Sequence, residues 1–258
     1  MEQQVRLKSI GKNLNFSEGI RPLTFVVLLV LLATAASILN NAMPQGPTIA
    51  YISNETKAAS AAAMINTTGG SITTIFLNAT TQNPRWKAYV GNVTGSLTLD
   101  DANDQTVFNW QLTNIIGEVY STRYSGVINW SGANCSNLTH FSNEEFALNL
   151  SNKDDNITKT FSTQTHAGFY IGTRQILQNT CYSVHTYVND SAQSTRFEEV
   201  ALYDGTNSTN GNIIFATPLE QDAYGFDNNT YDFQMIVPEN GLPTWTGSTA
   251  YYFYVELT

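Results

Sequence analysis

Few side chains in this sequence sit where they could do covalent chemistry. Its three histidines, His140, His166 and His185, fall on separate segments without the spacing of a ligand set, so each reads as a surface or hydrogen-bonded imidazole. The adjacent pairs Glu144–Glu145 and Glu198–Glu199 bring carboxyls together, and paired carboxyls are what glycoside hydrolysis uses. Neighbours on a strand point to opposite faces, however, so neither pair can flank one bond, and solvated acidic side chains are the expectation. The sequence holds no G-x-S-x-G, H-E-x-x-H, P-loop or dinucleotide fingerprint. No catalytic residue and no organic cofactor is therefore expected. An exported hydrolase with a site built from distant residues is the enzymatic alternative.

Hard oxygen ligands cluster at Asp100, Asp101, Asn103 and Asp104, with further groups at Asp154–Asn156 and Asp222–Asp227. Calcium is the ion such oxygens suit. The Gly and closing Glu of an EF-hand loop are missing, though, and such stretches read as turns first. Trp86, Trp110 and Trp130 lie in or beside strand-like segments and are expected to pack in the core. Aromatic rings exposed on a loop such as 203–212 would instead mark a carbohydrate-binding surface. Cys135 and Cys181 are the only cysteines and form no C-x-x-C pair, so a disulfide is expected rather than a metal site. Closing that loop would contribute about 4 kcal/mol.

The compartment that favours such a bridge is written at the N-terminus. Leu23–Leu39 carries no charge and, at roughly 17 to 20 residues, can just span a hydrocarbon core of about 30 Å. Arg6, Lys8, Lys12 and Arg21 all precede it or open it, which places Met1 in the cytoplasm and the remainder outside. Three fates stay open: an intact anchor, release at Ala33-Thr34-Ala35, or cutting after the polar leader that ends in Gly19. Beyond the apolar stretch, N-x-S/T occurs at Asn54, Asn66, Asn78, Asn92, Asn129, Asn134, Asn137, Asn149, Asn156, Asn189, Asn207 and Asn228. Composition alone would give about five, so these are expected glycosylation sites on an extracellular domain. Outside the N-terminal region stand 8 basic and 19 acidic residues, a balance that repels phosphate backbones and excludes nucleic acid as a partner.

The elements that position these residues read as short strands. The expected organisation is a cytoplasmic leader at 1–22, an apolar transmembrane or filament-core helix at 23–43, a stalk or linker at 44–68 and an all-β, antiparallel sandwich at 69–258. The sandwich has room for two subdomains meeting near Ser136–Asn143. Strands are predicted at Ser71–Leu77, Trp86–Val93, Ser96–Leu99, Val107–Leu112, Glu118–Tyr124, Cys181–Val188, Phe197–Tyr203, Asn212–Ala216, Tyr231–Val237 and Ala250–Leu257. Ala58–Ala63 extends the stalk or anchor helix. A short helix is expected at Asn143–Leu150, with Ser142 as its cap and Glu145 three residues on. In the last strand Tyr251, Phe253, Val255 and Leu257 alternate with Tyr252, Tyr254 and Glu256.

Two stretches carry a resemblance. The runs Trp86–Gly95 and Gly117–Arg123, with the endings Tyr231–Pro238 and Tyr251–Leu257, resemble uncharacterised archaeal exported β-rich surface proteins. The likeness covers most of the region after the apolar stretch and implies a surface location and a β-sandwich, with no catalytic residues to carry over. Gly19-Ile20-Arg21-Pro22-Leu23 is similar to the leader junction of archaeal type IV pilin-like proteins, although Glu18 stands where those leaders carry Lys or Arg. The expected role is a non-catalytic, membrane-held surface subunit that assembles with its own copies or other surface proteins into a filament or envelope layer. The alternative is a membrane-anchored adhesin or carbohydrate-binding module.

Overall fold

A computed structural model divides the chain into two units, Met1–Asn41 and Ala42–Thr258. It describes residues 43–258 except 58–60, 62–63, 65, 78–79, 104 and 207–210. The expected apolar helix, the leader and most of the Ala58–Ala63 run lie outside the described residues. Among the described residues no helix is long and apolar enough to cross a membrane.

The described unit is mostly antiparallel β-structure with two short helices, as the strand spacing predicts. In chain order the elements are β1 (Trp86–Gly91), β2 (Ser96–Asp100), β3 (Thr106–Gln111), β4 (Gly117–Thr122), β5 (Asn134–Cys135), α1 (Leu138–Ala147), α2 (Ile157–Thr160), β6 (Phe169–Ile171) and β7 (Arg174–Ile176). They continue with β8 (Ser183–His185), β9 (Glu198–Tyr203), β10 (Ile213–Pro218), β11 (Ala223–Tyr224), β12 (Thr230–Tyr231), β13 (Phe233–Pro238) and β14 (Tyr252–Leu257).

The central sheet runs β14-β4-β10-β9, and β5 and β8 share the far edge of β9. The near edge, β14, is met by Gln45 through a two-bond bridge to Val255. Strand β4 is buried along its whole length, because apolar layers cover both faces of the sheet. On one face Tyr120, Val200, Leu202, Ile214 and Tyr254 meet Trp130, Ala133 and the β6–β7 hairpin through Phe169, Ile171 and Ile176. On the other, Val119, Ala201, Phe215, Phe253 and Val255 meet Phe141, Leu148, Ile157 and Phe161 of the helical segment and the separate β1–β13 ladder. The alternation in β14 therefore feeds two cores rather than one core and solvent.

Three expectations move. Ser71–Leu77 forms no strand; it is exposed and unpaired within this unit. The helix begins at Leu138, five residues before the predicted start. Its cap is Asn137, whose Oδ1 accepts from the Thr139 and His140 backbone N–H groups while His140 Nδ1 accepts from the Asn137 N–H. A histidine thus fills the capping-box position normally held by Glu or Gln. Ser142 lies exposed in mid-helix, and Glu145 caps α2 instead, accepting from Thr158 N at 2.7 Å and Asn156 Nδ2 at 3.3 Å.

Gly117 marks the entry to β4. Its φ of 151° belongs to glycine, and a Cβ there would lie 1.9 Å from the Glu256 carbonyl oxygen. Gly117→Ala is expected to lower the unfolding free energy by at least about 2 kcal/mol, read by urea denaturation.

Candidate functional site

The densest unusual chemistry lies where β4 meets β14. Glu118 and Glu256 are direct cross-strand partners, on the face that carries Tyr120 and Tyr254. Both carboxyls are buried, so like charges would stand opposite each other in a poorly solvating interior. Glu256 is held from two sides: the Tyr120 hydroxyl donates to Oε2 at 3.0 Å and the Gly172 N–H donates to Oε1 at 2.7 Å. Burial first, and the charge of Glu256 second, push the Glu118 pKa up to about 8. Burial also raises Glu256, against the hydrogen bonds from Gly172 and Tyr120. Burial pushes the Tyr120 phenol up as well, so it serves as a donor. At neutral pH the pair therefore holds at least one proton, on Glu118. No ion pair to either carboxyl is found among the described residues.

The glutamates expected to be solvated are structural. Glu198 and Glu199 do point to opposite faces, as strand geometry requires. Glu198 accepts from Ala167 N at 2.9 Å, while Glu199 is fully enclosed and accepts from Ile236 N at 2.8 Å, tying the central sheet to β13. Burial drives Glu199 well above the ordinary carboxylate range. Glu144 forms a two-pronged pair with Arg123 at 2.5 and 2.9 Å, and Glu145 caps α2. A shallow recess of about 150 Å³ is lined by Thr122, Arg123, Tyr124, Glu144, Asn212 and Ile213, its two charges already satisfied by each other. The carboxyl pair does not line it.

The other acidic groups are fastened too. Glu239 carries Lys87 and Thr249 on its carboxylate and further accepts from Asn240 N, and these partners hold it at about 2 despite partial burial. Asp101 turns its Oδ1 onto the backbone N–H groups of Gln105 and Asn103, at 3.0 and 2.8 Å, which lowers its pKa. Asp100 accepts from Thr98 Oγ1, Asn103 lies in the same turn, and Asp104 lies outside the described residues. Among the described residues no three His, Cys, Asp or Glu side chains converge to hold a metal ion. Asp154 pairs with Lys159, Asp155 with Arg85, and Asp227 accepts from Asn229 and Tyr231.

The histidines lie apart. His166 accepts from Thr180 N and Cys181 N at Nε2, so its proton sits on Nδ1 and is donated to the Ala167 carbonyl. That places it against the Cys135–Cys181 disulfide, which is formed as expected. The bridge staples β5 to the residues just before β8, the two short strands that share one edge of β9. His140 caps α1 and stacks on Tyr203 at 4.3 Å, and His185 stands 3.8 Å from Glu198.

Of the tryptophans, Trp130 packs in the core between Tyr120 and Tyr254, and half-buried Trp86 donates to the Asp155 carbonyl at 2.6 Å. Trp110 does not join them: it is 47% exposed on β3 beside Phe108. Among the sequons, Asn54, Asn66, Asn92, Asn129, Asn137, Asn149, Asn189 and Asn228 are exposed and Asn134 is half-buried. Asn78 and Asn207 lie outside the described residues. Asn156 departs from the expectation. It is only 8% exposed, its Oδ1 caps α2 and its Nδ2 reaches Glu145, leaving no room for a glycan in the fold.

Sequence reasoning missed the Glu118–Glu256 pair because its members stand 138 positions apart and only strand register joins them. The one available signal was Glu256 alternating with two tyrosines on a single face of the last strand. Comparison with known protein families, with curated proteins and with solved structures finds no match to this chain.

The two classes of glutamate set opposite pH limits. Glu118, raised when folded, contributes stability that is complete below its unfolded value near 4.5 and is lost as pH climbs through about 8. Glu239, depressed when folded, contributes stability that is complete above about 4.5 and is lost as pH falls towards about 2. Denaturation monitored across pH 2–9 should therefore give a maximum near pH 4–5 and a decline above it to which Glu118 contributes about 1 kcal/mol per unit from 5 to 8, with buried Glu199 and Glu256 adding in the same direction. Glu118→Gln should remove about that share and leave the remainder.

Proposed function

We propose that this chain is a structural component of an archaeal cell surface. Its N-terminal apolar stretch is held in the membrane or in a filament core, and a glycosylated, non-catalytic β-domain stands outside as a subunit of a filament or envelope layer. One observation carries the reading: a disulfide-stapled, strongly acidic β-domain with eight exposed sequons follows an uncharged apolar stretch flanked by basic residues on one side only. Three further features fit a scaffold role. The carboxyls of Glu144, Glu145, Glu198, Glu199, Glu239 and Glu256 are committed to caps, ion pairs and ties between segments. The exposed asparagines Asn149, Asn189 and Asn228 sit at left-handed turns that hold their side chains outward. The domain counts in this reading as an elaborated sandwich, with the β1–β13 ladder as the partial second layer over the central sheet. Cations at the Asp100–Asp104 turn would be accessory to that scaffold rather than part of a reaction.

An adhesin or carbohydrate-binding module is the second reading, favoured by the exposed rings of Phe108 and Trp110. A glycan array probed with the chain would show hits abolished by Trp110→Ala if that reading were correct.

The primary reading is tested on native material from whole cells. Protease treatment of intact cells should remove the C-terminal domain, and peptide mass spectrometry should find sugars on several of the exposed sequons with Asn156 bare. Protection from protease, with every sequon unmodified, would refute it. N-terminal sequencing sorts the variants: a start at Ile20 marks pilin-like processing, a start near Ala36 a released domain, and an intact terminus an anchor.

A further inference from the structure

The β2–β3 hairpin is an element without a home. Its register places Leu97 opposite Trp110 and Leu99 opposite Phe108, so these four side chains form one apolar face, while Ser96, Thr98, Asn109 and Gln111 form the other. Every residue of both strands is exposed. The Phe108 and Trp110 rings meet edge to face at 4.8 Å, and each stays about half exposed. Among the described residues the hairpin pairs with no other strand, so the outer edges of β2 and β3 stand open there. An isolated two-stranded hairpin is marginal in water and gains stability from a third strand or a covered face.

A second element of the same unit lacks a partner in a complementary way. Ser71–Leu77 has the composition of a strand, with Ile72, Ile75, Phe76 and Leu77 among threonines, yet Ile72 is 100% and Phe76 99% exposed. Its seven residues match the six of β3 in length. A short, uncharged, proline-free segment rich in β-formers is the kind that adds to an open edge.

Charge selects between the occupants. The hairpin sequence carries Asp100, Asp101 and Asp104 and no basic residue between 96 and 111, so two hairpins face to face would bring like charges together. From Ala58 to Pro84 the chain has no charged residue at all, so this segment meets the acidic hairpin without repulsion.

We infer that Ser71–Leu77 of one copy docks as an added edge strand on the β2–β3 hairpin of a second copy, with Ile72 and Phe76, which alternation places on one face, extending the apolar face of Leu97, Leu99, Phe108 and Trp110. The contact is heterologous: each copy offers one segment and one hairpin, so the interaction propagates along a row of copies instead of closing on a pair. This deepens the surface-assembly reading and rests on it only for its biological setting.

The test uses full-length chains bearing one added cysteine each. Phe76→Cys and Leu97→Cys chains are mixed under mild oxidation and resolved on a non-reducing gel. A single added thiol per chain means that a mixed disulfide reports contact between copies. The expected yield of mixed dimer is at least fivefold above that from Ile52→Cys mixed with Leu97→Cys, Ile52 being 92% exposed but outside the docking segment. Equal yields, or none, would overturn the inference. Adding Trp110→Asp to the Leu97→Cys chain should cut the yield at least fivefold while the Cys135–Cys181 bridge and far-ultraviolet circular dichroism stay unchanged. A chain folded by those two measures that cross-links as before would equally overturn it. Surface filaments or layers containing the protein without this cross-link would sink the contact and spare the proposed function. The cross-link without any surface assembly would do the reverse.

Discussion

The ladder between β4 and β14 is the contact on which the rest of this domain depends. Its six paired positions carry the chain's C-terminal strand, the Gln45 bridge beyond it and the inner neighbour β10. Because apolar layers cover both faces, polar residues in that ladder cannot turn to water. Glu118, Ser121, Thr122 and Glu256 are all buried in it. Interior carboxyls left ionised would cost several kcal/mol each, so the site resolves the conflict by retaining a proton and by aiming the Tyr120 hydroxyl and the Gly172 N–H at Glu256. Through Gly172 the same interaction clamps the β6–β7 hairpin onto the sheet. Glu256 acts here as a clasp that joins two strands and a turn, beside a Glu118 that keeps its proton because its enclosed Oε2 finds no donor.

The second organising constraint is the far edge. Strands β5 and β8 are too short to hold an edge alone, at two and three residues. The Cys135–Cys181 bridge joins them, and the doubly engaged His166 fixes the loop that brings Cys181 there. Glu199 performs a similar task on the opposite face, reaching the backbone of β13. The domain thus relies on a few buried polar ties placed between layers, in addition to its two apolar cores.

Much of this was legible from residue order. Strands rich in Val, Ile, Tyr and Phe between Asn/Asp/Gly turns appear at Trp86, Ser96, Glu118, Phe197, Tyr231 and Ala250 within a few residues of their predicted bounds, and the lone cysteine pair is a disulfide. What was hidden depends on contacts between distant segments. The helix start escaped because His140 took the capping role that pattern rules reserve for Glu or Gln. Ser71–Leu77 has every local mark of a strand and lacks only a partner within this unit, which composition cannot report. Trp110 looked like a core residue because its local pattern matches that of Trp130; only the fold decides which one finds a layer above it. The same local pattern produces both a core and an exposed apolar face.

The sharpest single test of this arrangement is direct observation of the Glu118 proton. Carboxyl carbon-13 resonances of the glutamates, assigned to Glu118 by comparison with Glu118→Gln, would be followed from pH 4 to 9. The account predicts that Glu118 is neutral at pH 6 and titrates with a midpoint at about 8, held there by burial and by Glu256. A Glu118 resonance already fully ionised by pH 6 would contradict it.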